Sequence, residues 1–376
     1  MYARRRAVAA GLVLAALAVI VLYVGFSRNA HDDPSKKSIS DSVGSPAPSA
    51  APTPTSSGSA GAAKTPSPIP GYLLIADRGN NRAILVGSAK KRLWVYPKPG
   101  TKPSFPFYFD DDTFFAKNYS QIITNQEDQQ TIEIVSFPGG RVVWHYGHVN
   151  VKGSSPGYMN TPDDAYMLPN GNVSVADVYN CRILFISPDK RIVRQIGTTG
   201  ACAHNPPHNL DSPNGDTPMP DGATLVTEIN GSWIDAIGAD GKLMWSVQAP
   251  VRYPSDAQWL GDGKILLADY SKPGHVLIMT TGGKVLWKYG PPSGPGALDH
   301  PSLALMLPNG LIAANDDYRD RVVLIDPHKH RIVWQYGHTD HPGTAPGFLN
   351  TPDGMDFLPF QTALSTPAIR KIVLHS

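Results

Sequence analysis

Residues 162–186 read PDDAYMLPNGNVSVADVYNCRILFI. Two apolar runs, VSVA and ILFI, are set apart by polar residues. Asn170-Gly171 stands ahead of the first run, where it folds one extended segment back on the next. The stretch returns as PSLALMLPNGLIAANDDYRDRVVLI at 301–325 and as PSDAQWLGDGKILLADYSKPGHVLIM at 254–279. From each leading proline the turn residue lies eight positions on: Pro162 to Asn170, Pro213 to Asp221, Pro254 to Asp262, Pro301 to Asn309. Pro352 begins the pattern again and it stops at Phe360, while GYLLIADRGNNRAILV at 71–86 supplies the missing half. Six copies, the last shared between two ends, describe a ring.

Each copy divides into four short β segments; in the third these are Asp164–Leu168, Val173–Asp177, Arg182–Ser187 and Arg191–Ile196. Aligned on the turn, the residue six after the glycine is acidic or Asn: Asp77, Asn125, Asp177, Glu228, Asp269 and Asp316. The fourth segment carries Trp94, Trp144, Trp245, Trp287 or Trp334 at a matched place, with Arg194 there in the third copy. Four strands per copy and no helical period predict an all-β six-bladed β-propeller over 71–376. Its seam is expected to close when TPDGMDFLP adds the innermost strand to the sheet beginning at Gly71, since an open seam leaves unpaired edges. The tryptophans are expected to pack between neighbouring blades.

In its proline-led first strand, its P-N-G turn and the V-A-D…N-x-R-I of VADVYNCRI and IADRGNNRAI, the chain resembles the NHL-repeat propellers over residues 71–360. That resemblance implies a six-bladed ring. Blade ends such as Asp240 to Trp245 and GGKVLW from Gly282 are also similar to those of quinoprotein-like propellers, but the adjacent-cysteine site of those enzymes is absent. Among NHL proteins the peptidylglycine amidating lyase binds zinc through histidines directly after the first-strand proline. Here those positions hold Asp163, Asn214, Ser255, Ser302 and Asp353, so the resemblance does not extend to that metal site.

Ahead of the ring, Arg4, Arg5 and Arg6 precede residues 7–26, a stretch with no charge and no proline. Its length matches a hydrocarbon core of ~30 Å at 1.5 Å per residue. The chain is therefore expected to have a cytoplasmic tip and transmembrane signal anchor at 1–26, with everything beyond outside the cell membrane. The alternative is a cleaved signal peptide. Residues 27–70 are Ser, Ala, Pro, Thr and Gly with almost no large apolar side chain, which predicts a disordered linker holding the ring away from the bilayer. The net charge of +2 and the absence of an arginine-rich stripe exclude a nucleic-acid role.

Three constellations fall on the loop face, where blade-to-blade loops and strand-two-to-three loops meet. Asp111, Asp163, Asn214 and Asp353 follow the proline position, and Asp112, Asp164 and Asp256 come one step later. Strand alternation would let only one set face the axis. Such oxygens either cap turns or converge on calcium or another divalent cation, with Asp112, Asp164 and Asp256 as the metal set. Histidines 148, 204, 208, 275, 300, 338 and 341 share these loops, and zinc would need three together. Arg82, Arg182 and Arg321 each lie five residues after Asp77, Asp177 or Asp316, which suits an ion pair across the hairpin or a ring of anion-binding guanidiniums. Cys181 and Cys202, the two cysteines, are expected to form a disulfide in an oxidising compartment.

No H-E-x-x-H or phosphate loop is present. The reading is a membrane-anchored extracytoplasmic binding or sensor module. Its loop face, with His148, Asp163, Asp164, His338, Asp353, Arg82, Arg182 and Arg321, would take a protein, peptide or glycan. The competing class is a divalent-cation-dependent propeller enzyme, a lactonase-like hydrolase or lyase, for which no general base stands out.

Overall fold

A computed structural model describes residues 67–374. The anchor expected at 1–26 and the linker up to residue 66 lie outside the described residues. Within them, no helix is long and apolar enough to cross a membrane. Residues 67–70, read as linker end, belong to the packed body: Ile69 is buried in the core and Asn309 donates to the Pro68 carbonyl at 3.0 Å. A single large apolar side chain at the end of a polar segment was enough to dock it.

Among the described residues the chain forms six four-stranded antiparallel sheets, the blades of a six-bladed β-propeller. In the third blade the strands are Pro162–Met167, Val173–Asp177, Arg182–Ile186 and Ile192–Ile196 from the axis outward. The two middle strands are buried along their whole length. A middle strand has a neighbouring blade on each face, so its sequence runs apolar rather than alternating. The outer strand alternates instead, half-buried and exposed in turn.

In the first blade Met355–Pro359 pairs antiparallel with Gly71–Asp77, in register from Gly71 opposite Pro359 to Ile75 opposite Met355. Two further bonds extend it, Ala76 N–H to Gly354 O at 2.8 Å and Asp353 N–H to Ala76 O at 3.0 Å. The repeat pattern held no helix, yet the chain continues from Phe360 into two short helices, Phe360–Ser365 and Pro367–Leu374. They bury Ala363 and Ile369 against Tyr72, Leu74 and Leu358, and Phe360 stacks on Tyr72. This covers apolar surface at the foot of the first blade.

The outer-strand tryptophans link neighbours by hydrogen bonds as well as by packing. The indole N–H of Trp94 donates to Pro138 O, Trp144 to Pro188 O, Trp287 to Pro327 O and Trp334 to Ser88 O, at 2.9–3.1 Å. Each acceptor lies in the strand-three-to-four turn of the next blade, so Trp334 reaches across the seam. Arg194 makes the same link, donating to Gly238 O at 2.9 Å while its guanidinium stacks on Phe185. A planar donor on an apolar stem does the work of indole here. Trp245 instead lies against Trp259.

Candidate functional site

The site begins with an irregularity that no strand period foretells. In the third blade Pro162 faces Asp177 but Ala165 faces Val175, so the first strand carries one extra residue. The same slip follows Pro213 and Pro254. In five blades the residue before the leading-proline position is left-handed: Phe109, Thr161, Ser212, His300 and Thr351 have φ between 46° and 61°. Such β-bulges re-aim side chains, and in the second blade Asp111 and Asp112 precede the strand Thr113–Ala116, so strand alternation does not restrict the axis to one aspartate set. Asp111 and Asp163 from the first set and Asp112 from the second offer carboxylate oxygens within 4.8 Å of one another. The expected metal set of Asp112, Asp164 and Asp256 is thus recomposed. Asp164 lies beside Asp112, whose charge helps raise its carboxyl, while Asp256 accepts from Thr217 Oγ1 at 2.9 Å and Gln258 Nε2 at 3.0 Å.

A buried arginine sits among these acids. Arg78 pairs with Asp111 at 2.6 Å, with Glu127 at 2.8 Å and with Asp353, and its guanidinium lies over the Phe109 ring at 4.3 Å. The sequence reading missed Arg78, and with it Glu127, Tyr270 and Asp317. All four hold one place, the residue after the strand-two polar terminus, which turns into the channel. The signal was the repeat itself, read one step further. The alignment also placed that terminus one residue early in the second blade. Gln126, not Asn125, pairs with the first residue of the third strand and accepts a loop N–H, from Tyr108 at 2.6 Å. Asp77, Asp177, Glu228 and Asp316 accept the matching bonds from Asn350, Asn160, Asp211 and Asp299 at 2.7–2.8 Å.

Burial dominates the electrostatics. It pushes the carboxyls of Asp111, Asp112, Asp163 and Asp164 well above the usual carboxylate range. Neighbouring acids push further, and Arg78 pulls Asp111 and Asp163 back. Asp256 is raised by burial to about 6. Among the described residues no lysine or arginine forms an ion pair with Asp112, Asp163 or Asp164. Carboxyls this close keep protons unless a cation joins them, and an all-oxygen set suits calcium or magnesium. The mouth is rimmed by aromatics: Tyr253 and Tyr270 stand edge to face at 5.3 Å, and Tyr270, His300 and Tyr318 form a cluster with Tyr318 exposed.

The other sequence candidates are placed elsewhere. Arg82, Arg182 and Arg321 each bond their strand-two aspartate through Nε at 2.6–2.8 Å. Other nitrogens of each take loop carbonyls and hydroxyls such as Thr344 O, Thr199 Oγ1 and Ala297 O. They fasten loops, and a ring of guanidiniums open to an anion is not formed. His148 stacks on Tyr158 and His338 on Phe348, inside two loops of one design. In both a glycine N–H donates to a strand-four tyrosine hydroxyl, Gly157 to Tyr146 and Gly347 to Tyr336. These near-copies fold on themselves, and neither histidine joins the acids. Nor do three of the histidines meet; His275 faces Asp269, His300 faces Asp299 and His341 faces Thr339 O. Cys181 and Cys202 are bridged, with Cα atoms 5.2 Å apart.

No protein-family profile matches the sequence, and no curated protein matches it. Solved structures do. A protein of unknown function from Bacteroides caccae shares 17% identity over 76% of this chain and 98% of its own, with a TM-score of 0.54. A nidogen/laminin complex structure shares 13% identity over 76% and 97%, with a TM-score of 0.50. A streptogramin B lyase shares 16% over 64% and 72%, with a TM-score of 0.46. These likenesses are of fold. The chain is a six-bladed β-propeller.

Proposed function

We propose that this protein is an extracytoplasmic binding module of NHL type whose loop-face mouth takes a cationic group presented by a protein or peptide. The N-terminal span at 1–26 would anchor it and the segment from 27 would hold the ring off the membrane. Pairing of Met355–Pro359 with Gly71–Asp77 would be the clasp that keeps the ring closed. One observation carries the binding reading: Asp111, Asp112 and Asp163 converge at the axis with Asp164 beside them, under a rim of tyrosines. Acids below and aromatic faces around are the two features that attract an ammonium or guanidinium. Arg78, which pairs with Asp111 and Asp353 in this field, supports the reading that a cation fits there.

The second reading is a divalent-cation-dependent hydrolase or lyase. It is supported by the oxygen spacing at Asp111, Asp112 and Asp163, where these residues would hold calcium or magnesium and the ion would supply Lewis acidity. Titration of the detergent-purified full chain with calcium and with a lysine-rich peptide separates the two. Saturable peptide binding that falls about tenfold or more in Asp163→Asn supports the module. Calcium binding with the same dependence and no peptide binding supports the enzyme. Binding of either probe that ignores Asp163→Asn and Asp112→Asn overturns the axial site.

A further inference from the structure

The fourth blade departs from its neighbours where strand two meets strand three. In the first, third and sixth blades the terminal aspartate there is met by Arg82, Arg182 or Arg321, and in the fifth by His275 at 3.1 Å. The fourth blade has Trp233 in the arginine's place, opposite Glu228. It also adds a second acid, Asp235, on the third strand. Both carboxyl groups are fully buried. Glu228 Oε2 takes the Asp211 N–H at 2.7 Å, which leaves Oε1 turned to His204 Nδ1 at 3.2 Å. Asp235 aims Oδ2 at the same nitrogen from 3.9 Å, and neither of its oxygens has a hydrogen bond of good geometry, with Ser246 and Glu228 as near neighbours. Two buried carboxylates thus converge on one half-buried imidazole, where the first, third and sixth blades set an arginine against a single carboxylate.

We propose that His204, Glu228 and Asp235 form a site for a zinc-class divalent ion. Their ligand atoms all lie within 4.8 Å of one another. A tetrahedral ion with bonds of ~2.0–2.1 Å spaces its ligand atoms at roughly 3.3 Å, and the Nδ1 to Oε1 distance of 3.2 Å already matches. The set mixes one imidazole with two carboxylates, the ligand types zinc takes when three protein groups leave a fourth position for water. The imidazole is held from both sides as a ligand requires. Its ring stacks on Trp233 at 4.0 Å with an 8° tilt, and Nε2 faces Ser246 Oγ at 3.4 Å. His204 belongs to the loop that joins the third and fourth blades and that carries Cys202. An ion here would fasten that loop to the fourth blade, as the disulfide fastens it to the third.

The test uses the full chain purified in detergent, stripped with chelator and titrated with zinc. The expected result is a tight zinc equivalent that persists in Asp163→Asn, so that it is distinct from the axial acids. His204→Ala, at a partly exposed loop position, should weaken it about tenfold or more, and Asp235→Asn should do the same. Zinc at a hundredfold excess over its Kd should raise the wild-type melting temperature by on the order of 4 °C and leave His204→Ala unmoved. Cobalt in place of zinc should give the visible absorption of a tetrahedral ion. Absence of a zinc-dependent shift in folded wild type overturns the proposal, and so does zinc affinity unchanged in both variants.

Discussion

Glu133 shows how one buried residue sets a pH dependence. It lies on the third strand of the second blade, fully buried, with Oε1 accepting from Gln126 Nε2 at 2.5 Å and Oε2 without a partner. Burial raises its pKa from 4.5 to about 8, against the pull of Gln126. The native state therefore holds a proton that the unfolded chain releases near 4.5. Stability present at lower pH is lost progressively as the pH climbs from about 4.5 to about 8, and stays lost above that. Glu133→Gln keeps the acceptor and removes the ionisation. Its melting temperature relative to wild type should rise across that window and level off beyond it, corresponding to a few kcal/mol at pH 9. A constant difference from pH 5 to pH 9 would show that Glu133 does not titrate in this way.

At the scale of the element, the loop of residues 197–212 is tied at several points. Gly197 N–H donates to Pro207 O, Cys202 is bridged to Cys181 at the left-handed end of the third blade's hairpin loop, and His204 meets Glu228. A bridge across 21 residues constrains the unfolded chain by ~3 kcal/mol, less any strain. Cys202→Ser should lower the melting temperature of the non-reduced protein by on the order of 5 °C, and reductant should do the same to wild type. Equal melting temperatures in the variant, the reduced and the oxidised protein would mean that the loop is held by its hydrogen bonds alone. The long loops at 147–161 and 337–351 illustrate the opposite case. Their length reads as a sign of binding, yet the tyrosine hydroxyls, stacked histidines and glycines with φ of 93° account for the repeated residues.

For the whole molecule the question is how the ring holds. The first blade draws its innermost strand from 355–359 and its other three from 71–96, and Trp334 bonds Ser88 across the same boundary. Removing residues from Pro352 onward would strip the hydrogen-bonded partner of Gly71–Asp77 and uncover Tyr72 and Leu74. It would also delete Asp353, one of the three partners of Arg78. The truncated chain should lose its cooperative melting transition and aggregate, measured by calorimetry and by light scattering. A monodisperse product with an unchanged melting temperature would show that the remaining blades and the tryptophan links suffice.

The sequence by itself determined the ring. Turn dipeptides, a fixed proline-to-turn spacing and apolar runs on the middle strands are local properties that repeat, so six copies could be counted without knowing any contact. It also placed the bridge between Cys181 and Cys202 and the pairing of Arg82, Arg182 and Arg321 with their aspartates, because each joins residues on neighbouring strands or loops. The axial site was only half legible. Asp111, Asp112, Asp163 and Asp164 stand out as residues, but their directions are set by a one-residue bulge in the third blade and by the non-strand backbone ahead of Thr113 in the second, neither of which follows a strand period. Arg78 meets Asp353 from the far end of the chain, and His204 meets Asp235 across a loop. Partners of that kind share no period and no spacing. Packing blade against blade brings His204 to Asp235, and pairing the two ends of the described chain brings Arg78 to Asp353.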